Sequence, residues 1–454
     1  MTTPVQTAEG TRRGTSVRAM LTDRQVLAWA LYDWANSAFA TTVMAGFFPV
    51  FYSALSAELS TEDSQFWFNI SLAASSLVIA LAAPVLGAIS DRGGTRKHFL
   101  ATFTMLGVIM TASLAWVHGD MWVEGLMIYV LAQAGFAGAN IFYDSMITDV
   151  AREDEYDQVS GFGYALGYVG GGLLFLVNVL MVTNPAWFGL DGAGEALSWS
   201  FISVGLWWAL FTLPLLIWVK ETPTKAEASG VQAVREGLRQ LRETFSHIRQ
   251  LRVVLIFLAG YWLYIDGVGS VIKMAVFFAN RVLELPQEAL ITALLLTQFV
   301  SFPAALFFGW LGRRIGPRTG ILIGLVVYAL VVFYAWGWLS SGTGFYYLAV
   351  AIGLVQGGVQ SLSRSLYARI IPVSRTAEFF GFYNMVGKFA AILGPLLVAL
   401  VPVMIAAADA RDAILVLVVL FVVGGALLTR VDVEAGVRAA HEMDQADSIE
   451  ASNG

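Results

Sequence analysis

Apolar runs of twenty or more residues recur along the whole chain, separated by short polar breaks. A helix rises about 1.5 Å per residue, so about 20 apolar residues cross the roughly 30 Å hydrocarbon layer of a bilayer. Twelve such runs are present, at 27–52, 66–89, 98–118, 121–148, 159–182, 197–219, 253–279, 287–311, 318–340, 344–369, 378–402 and 410–430. Lipid offers backbone groups no partners, so such runs are helices or the strands of a closed barrel. The period-two alternation of barrel strands is missing. The pattern predicts an all-α membrane protein with twelve transmembrane helices. Very short turns join spans 3 and 4 and spans 9 and 10, which makes each pair an antiparallel hairpin.

The polar breaks divide the chain further. The longest, 220–252, separates a six-helix bundle at 27–219 from a second at 253–430. Within it Val234, Leu238, Leu241, Phe245, Ile248 and Leu251 recur at three- and four-residue steps, while Arg235, Arg239, Arg242 and Arg249 take other faces. That spacing predicts an amphipathic helix lying on the inner leaflet, serving as a tether or as a regulatory element. Residues 1–26 read as a polar segment, and the acidic stretch 431–454, without periodicity, as a disordered tail. If both termini are cytoplasmic, 22 of the 27 lysines and arginines fall on the inner side and two on the outer. The excess of positive charge inside predicts a multi-pass protein of the cell membrane with both ends in the cytoplasm.

Composition narrows the chemistry. Charged residues are 13% of the chain and hydrophobic ones 57%, against roughly 25% charged in soluble domains. Zero cysteines exclude disulfides, thiolate catalysis and cysteine metal sites. No short apolar core with a small-residue cleavage site opens the chain, so no signal peptide is expected. The four histidines, His98, His118, His247 and His441, have no metal-ligand spacing, and no glycine loop with a lysine could cradle a nucleotide. No metal, cofactor, enzymatic activity or nucleic-acid partner is expected.

The halves repeat. At an offset of 220, Gly138 falls on Gly358, Ser145 on Ser365, Gly161-Phe162 on Gly381-Phe382 and Gly167 on Gly387. At an offset of 222, the loop from Gly87 through Asp91, Arg92, Gly93, Gly94 and Arg96 to Lys97 falls on Gly309 through Arg313, Arg314 and Gly316 to Arg318. Two six-helix repeats around one pathway are implied. The first loop resembles the glycine–aspartate–basic signature of the major facilitator superfamily. The run Tyr32-Asp33-Trp34-Ala35-Asn36-Ser37-Ala38-Phe39-Ala40-Thr41-Thr42 and the end of span 6, Val219-Lys220-Glu221-Thr222-Pro223, resemble the autophagy-related vacuolar effluxer branch. The resemblance implies a major facilitator fold and a solute porter, with neutral amino acids as the solute of a eukaryotic member. Arg313 stands where Asp91 does, so only the first loop is expected to carry the full gate chemistry.

Ionisable groups inside spans are costly and need a partner or a wet cavity. Asp33, Asn36 and Ser37 share one face of span 1, as a structural polar knot or as a cavity group and proton carrier. Asp266 and Lys273 share a face of span 7 about 10 Å apart, with Gly267 and Gly269 able to let that helix flex. Lys388 lies near mid-depth one turn beyond Asn384, in contact with the solute, as a charge partner of Asp266 or in a structural ion pair. Asn140, Gln356 and Gln360 either bond the solute or tie helices together. Asp144 and Arg364, opposite charges at repeat-equivalent positions, are expected to form a cytoplasmic gate with Asp91, Arg92, Arg96 and Asp149.

These residues predict a secondary active transporter of a small polar solute, working by alternating access. A zwitterionic neutral amino acid suits them, a drug or sugar is the alternative cargo, and a non-transporting receptor or scaffold is the alternative of another class. With no histidine at mid-depth, any coupling to protons would run through carboxylates, Asp266 first and Asp33 second. The expected partners are the bilayer, the solute and protons, with the chain as a monomer.

Overall fold

All twelve apolar runs fold as helices in the computed structural model, which describes residues 16–221, 231–246, 251–390, 392–404 and 410–453. Predictions on 1–15, on 222–230 and 247–250 of the central loop (Ile248 and Arg249 among them) and on residue 454 lie outside these. Spans 1 to 6 are Arg24–Leu55, Thr61–Gly93, Arg96–Trp116, Trp122–Val150, Glu153–Thr183 and Ala193–Trp218. Spans 7 to 12 are Arg252–Arg281, Gln287–Ile315, Pro317–Gly337, Gly342–Arg369, Val373–Val401 and Arg411–Thr429. Twelve crossings put both chain ends at one end of the bundle, here called the termini end.

Local signals set several boundaries. The Asp23 carboxylate receives the N–H groups of Gln25 and Val26 at the start of span 1, and the Ser60 hydroxyl receives that of Asp63 at the start of span 2. Each satisfies a helix-end donor that has no partner within the helix. Gly94 (φ 57°) closes span 2 and its repeat equivalent Gly316 (φ 84°) follows span 8. Only a residue without Cβ turns there without strain.

Three features depart from the sequence reading. Span 7 is one unbroken helix, and the break falls in span 11, between Phe389 and Leu393. Gly394-Pro395 explains it: a proline in the first turn of the outer piece needs no N–H acceptor there but could not continue the inner one. Span 1 widens into a π-helical stretch, Phe39–Phe47. The stretch 431–454, predicted to be disordered, instead forms a helix over Val433–Asn453. Its docking face combines apolar and small residues, Val433, Gly436, Ala440 and Met443, with Asp444 and Asp447. These positions recur at three- and four-residue steps, a short stripe that the surrounding acidic residues masked.

The halves meet along two seams at the termini end. Spans 2 and 11 approach so closely that a Cβ on Gly87 would collide with the Ala377 carbonyl, and one on Gly381 would lie 2.6 Å from the Ala83 carbonyl. Spans 5 and 8 do the same: a Cβ on Gly161 would lie 2.7 Å from the Ala305 carbonyl, and one on Gly309 2.9 Å from that of Asp157. The central-loop helix, Val231–Ser246, lies over the first seam, with Gly237 against the Ile89 backbone and Gln240 donating to the buried Glu378. Glu221, just past span 6, accepts the Lys97 N–H, while the Lys97 ammonium donates to the Val219 carbonyl at 2.8 Å. Burial pushes the Glu221 carboxyl up, against the Lys97 bond and the nearby Arg96 charge.

Candidate functional site

Away from the seams the halves part around a cavity of about 510 Å³. Its walls come from spans 1, 4, 5, 7, 8, 10 and 11, so span 8 joins the six helices the sequence pointed to. Aromatic and amide groups make up much of the polar wall: Tyr164, Tyr168, Tyr261 and Tyr383, with Asn36, Asn140, Gln298, Gln356, Gln360 and Asn384. The π-helical stretch of span 1 contributes Ala40, Thr41 and Ala45. Wide turns of this kind occur frequently at functional sites. The lining continues away from the termini end to Leu290 and Phe345 near the starts of spans 8 and 10.

All the charge on this lining sits at the floor, next to the seams. Arg364 of span 10 is 1% exposed and reaches across to the first half. Its guanidinium donates to Asp144 at 3.1 Å, to Asp33 at 3.4 Å, and to the Ser160 hydroxyl and carbonyl at 2.9 and 3.1 Å. The rings of Tyr164, Trp29 and Tyr143 stand 4.4, 4.7 and 5.4 Å from its central carbon. A buried guanidinium is tolerable only when its hydrogen bonds and charge are met, and here carboxylates, a backbone carbonyl and aromatic faces meet them. The Tyr143 hydroxyl also donates to Asp33 at 2.6 Å, and the Asn384 amide to Asp144 at 3.4 Å.

Glycines of span 5 make this approach possible. A Cβ on Gly163 would stand 2.8 Å from the Asp33 carboxylate and 3.1 Å from the guanidinium, and one on Gly170 2.5 Å from the Trp34 carbonyl. Span 1 can therefore lie directly on span 5. Above the floor, Asn36 donates to Asn140 at 2.7 Å, Tyr168 to Gln360 at 3.3 Å, and Gln298 across the halves to Thr41 at 2.8 Å.

Below the floor the signature loop does its work. Asp91 accepts the N–H groups of Ala377 and Glu378 at 3.1 and 2.9 Å, capping span 11 from the other half. Arg96 joins Asp149 at 3.0 Å and donates to Thr376 at 2.9 Å. Arg92 makes no hydrogen bond among the described residues and acts on Glu378 and Asp447 through its charge. In the other seam Asp157, fully buried, accepts from Ser365 at 2.6 Å and pairs with Arg369 at 2.8 Å, and Arg313 donates to Gln158 at 2.6 Å. Of the second loop Arg313 takes part in this seam, a cation where Asp91 stands in the other.

Of the predicted pathway residues, Asp33, Asn36, Asn140, Gln356, Gln360 and Asn384 line the cavity, together with Asp144 and Arg364. Asp266, Lys273 and Lys388 do not line it, which corrects their placement. Asp266 instead accepts the N–H groups of Leu393 and Gly394 at 2.8 and 2.9 Å, capping the outer piece of span 11. Only a glycine at 394 leaves room, since a Cβ there would collide with the Ser270 hydroxyl. Lys273 is exposed, and Lys388 is half-buried with no ion pair among the described residues. Sequence reasoning missed Tyr143, Asp157, Ser160, Gln298, Arg369 and Thr376. For Arg369 a signal existed, because it falls on Asp149 at the same offset of 220 that pairs Asp144 with Arg364.

Residues 22–441 match the family described as vacuole effluxer Atg22 like. The chain is 34% identical over 435 residues to an uncharacterized MFS-type transporter, YxiO, of Bacillus subtilis, covering 93% of this chain and 98% of that protein. It is 24% identical over 440 residues to autophagy-related protein 22 of Eremothecium gossypii, covering 84% and 85%. The fold resembles that of the human organic anion transporter MFSD10 (TETRAN), with a TM-score of 0.65 at 16% identity over 89% of this chain and 99% of that one.

Proposed function

The chain belongs to the vacuole effluxer Atg22-like family of major facilitator transporters, and on that premise we propose that it moves a small zwitterionic solute, a neutral amino acid, by alternating access. The observation that carries this reading is the floor: two carboxylates and one guanidinium are the charged groups of an otherwise neutral lining. Asp33 and Asp144 suit an ammonium and Arg364 a carboxylate. Amides and tyrosine hydroxyls above them suit the remaining polar atoms of a small solute.

The excess of lysine and arginine at the termini end supports a cytoplasmic location for that end, in the cell membrane. On this orientation the closed seams face the cytoplasm and the cavity is outward-open. Reversal of the cycle would part Gly87 from Ala377 and Gly161 from Ala305, and would require Arg364 to leave Asp33 and Asp144. A solute that offers its own carboxylate and ammonium to the separated groups lowers the cost of that step. Proton coupling, in this reading, runs through Asp33 and Asp144, the carboxylates that meet the cavity, rather than through Asp266. The chain acts as a monomer, since one chain supplies the whole pathway.

The wall of tyrosines and amides also favours a second reading, a sugar porter, because neutral hydroxyl-rich solutes are recognised by such groups. Counterflow in proteoliposomes separates the two. A panel of neutral amino acids, pentoses, hexoses and amphipathic amines is offered against one another, with and without a proton gradient. Exchange confined to zwitterions, lost in Arg364→Lys, is the expected outcome. Exchange of sugars with no effect of amino acids would sink the zwitterion reading, and flux unaffected by a proton gradient would remove protons from it.

A further inference from the structure

A second recess lies outside the pathway, on the lateral surface beside the first seam. It measures about 460 Å³ and is lined by apolar side chains, among them Leu81 and Val85 of span 2, Leu255 and Ala259 of span 7, and Phe382 and Met385 of span 11. Leu81 and Leu255 are more than 40% exposed, so the recess opens where hydrocarbon surrounds the bundle. Leu241 and Thr244 of the central-loop helix roof it at the termini end.

That helix is ordered around its axis in a way one interior face does not explain. Gly237, Gln240 and Thr244 pack on spans 2 and 11, and Arg375 donates to the Thr244 hydroxyl at 3.2 Å. Next around the helix come Leu241, at the recess, then Val234 and Leu238, 42% and 49% exposed. Beyond them lie Arg235 and Arg242, exposed and paired with no carboxylate among the described residues, whereas Arg239 is engaged by Glu243 at 2.7 Å. Arg252, at the start of span 7, is exposed in the same way. An apolar recess, an apolar edge and an unneutralised basic edge follow one another from the hydrocarbon toward the water.

We propose that this recess is a binding site for an anionic phospholipid of the leaflet at the termini end. One acyl chain lies against Leu81, Leu255, Ala259 and Met385, and the phosphate meets Arg235 and Arg242, with Arg252 adding its charge nearby. Charge complementarity selects the headgroup, because each cation near a membrane surface strengthens anionic binding by about fivefold. The exposed valine and leucine hold the helix at the headgroup boundary. Span 2 belongs to one half and spans 7 and 11 to the other, so a lipid seated here bridges them. This site is separate from the solute cavity and does not depend on which solute is carried.

The test uses the purified full chain in detergent, titrated with phosphatidylglycerol, phosphatidylcholine and glycerol phosphate, and read by melting temperature and by lipid retained in native mass spectrometry. Phosphatidylglycerol is expected to raise the melting temperature and stay bound, while phosphatidylcholine at equal concentration does so weakly. R235Q/R242Q, a surface change away from the core, should weaken the phosphatidylglycerol response by roughly twenty-five-fold and leave the phosphatidylcholine response unchanged. Ala259→Phe, which fills the recess, should abolish retention with both arginines intact. Equal responses to the two lipids, or an undiminished response in R235Q/R242Q, would overturn the proposal. A full response to glycerol phosphate would replace the lipid with a free phosphate ligand, and overturn it equally.

Discussion

Spans 2 and 11 and spans 5 and 8 both close through glycines on backbone carbonyls, yet what secures each pair differs. In the 5–8 seam the securing groups are side-chain charges: Asp157 on Arg369, Gln158 on Arg313, and Ser160 on Arg364 next door. In the 2–11 seam a carboxylate, Asp91, holds backbone N–H groups, and two further helices lie across the joint. There Arg375 takes Thr244 of the central helix and Asp447 of the tail helix, while Asp444 receives the N–H groups of Val373 and Ser374. Repeat-equivalent positions explain the asymmetry. Asp91, Asp144 and Asp149 fall on Arg313, Arg364 and Arg369. Near the pseudo-twofold axis equivalent positions meet, as Asp144 and Arg364 do at 3.1 Å, and identical charges would repel there; away from it Asp91 and Arg313 occupy opposite seams. Inverting the sign in one half turns the same geometry into attraction, and the external helices support the seam that relies least on ion pairs.

The native chain has no cysteine, so Ser90→Cys can report on the 2–11 seam and Ser361→Cys on the 5–8 side, each labelled by an impermeant maleimide from the termini end. The largest effect belongs to Arg364→Ala, which leaves Asp33 and Asp144 facing each other unpaired. Breaking a buried pair costs about 3–5 kcal/mol, so both reporters should become reactive and the melting temperature should fall. Unchanged reactivity at both would show that the floor does not hold the seams.

Next come the two carboxylates compared directly. Asp157→Ala strands the half-buried Arg369 and should open the 5–8 reporter by about 3 kcal/mol. Asp91→Ala removes a helix cap and should move the 2–11 reporter by about 1–2 kcal/mol. The reverse ranking would mean that the backbone cap, not the ion pair, is the stronger fastening. A wedge offers a third comparison. Gly87→Ala and Gly309→Ala each add one methyl, but the first meets a carbonyl head-on and the second has 2.9 Å. Overpacking costs typically 1–3 kcal/mol, and Gly87→Ala should sit at the top of that range and Gly309→Ala near its bottom, read by the same labelling.

The smallest effect is the most selective. Deleting residues after 431 should raise labelling at Ser90→Cys a few-fold and leave Ser361→Cys alone, as expected for one charged hydrogen-bond cluster worth about 1.5–3 kcal/mol, discounted for solvent screening. Its pH dependence has a definite sign. Burial pushes the Asp447 carboxyl up, but the bonds from Arg375 and Ser374 outweigh it and hold the group below its usual range. A carboxylate lowered in the folded state contributes stability above its unfolded value of ~3.9 and loses it as pH falls through the folded one. Labelling at each pH, normalised to a freely exposed cysteine because the thiolate is the reacting form, should therefore be flat from pH 8 to 5. A rise across that range would mean another group controls the strap.

What the sequence disclosed follows from what repeats. Span number, the signature loops and the pairing of Asp144 with Arg364 were legible because hydrophobic length and a fixed offset display them directly. The partnership of Asp33 with Arg364 was not, since 331 positions separate the two and nothing local selects one basic group over another. Position along the helix could be counted for Asp266, but position does not say which neighbour a face meets. Gly394-Pro395 was the overlooked sign that span 11 breaks and needs a cap. The tail helix escaped for a related reason: its apolar stripe is only Val433, Ala440 and Met443, and the aspartates that hold Arg375 and free N–H groups find those partners 70 to 72 positions away.

The tail helix also imposes an order on biogenesis. Arg375 enters the bundle at the start of span 11, but its carboxylate lies beyond span 12, so a nascent chain inserts both remaining spans before the partner exists. Until then that guanidinium has the Thr244 hydroxyl of the earlier central loop and the nearby charges of Glu378 and Glu243. The clamp on Arg375 is consequently the last part of the 2–11 seam a newly made chain can complete, and a chain truncated after span 12 would be fully inserted and joined through Asp91 and Arg96 yet lack that clamp.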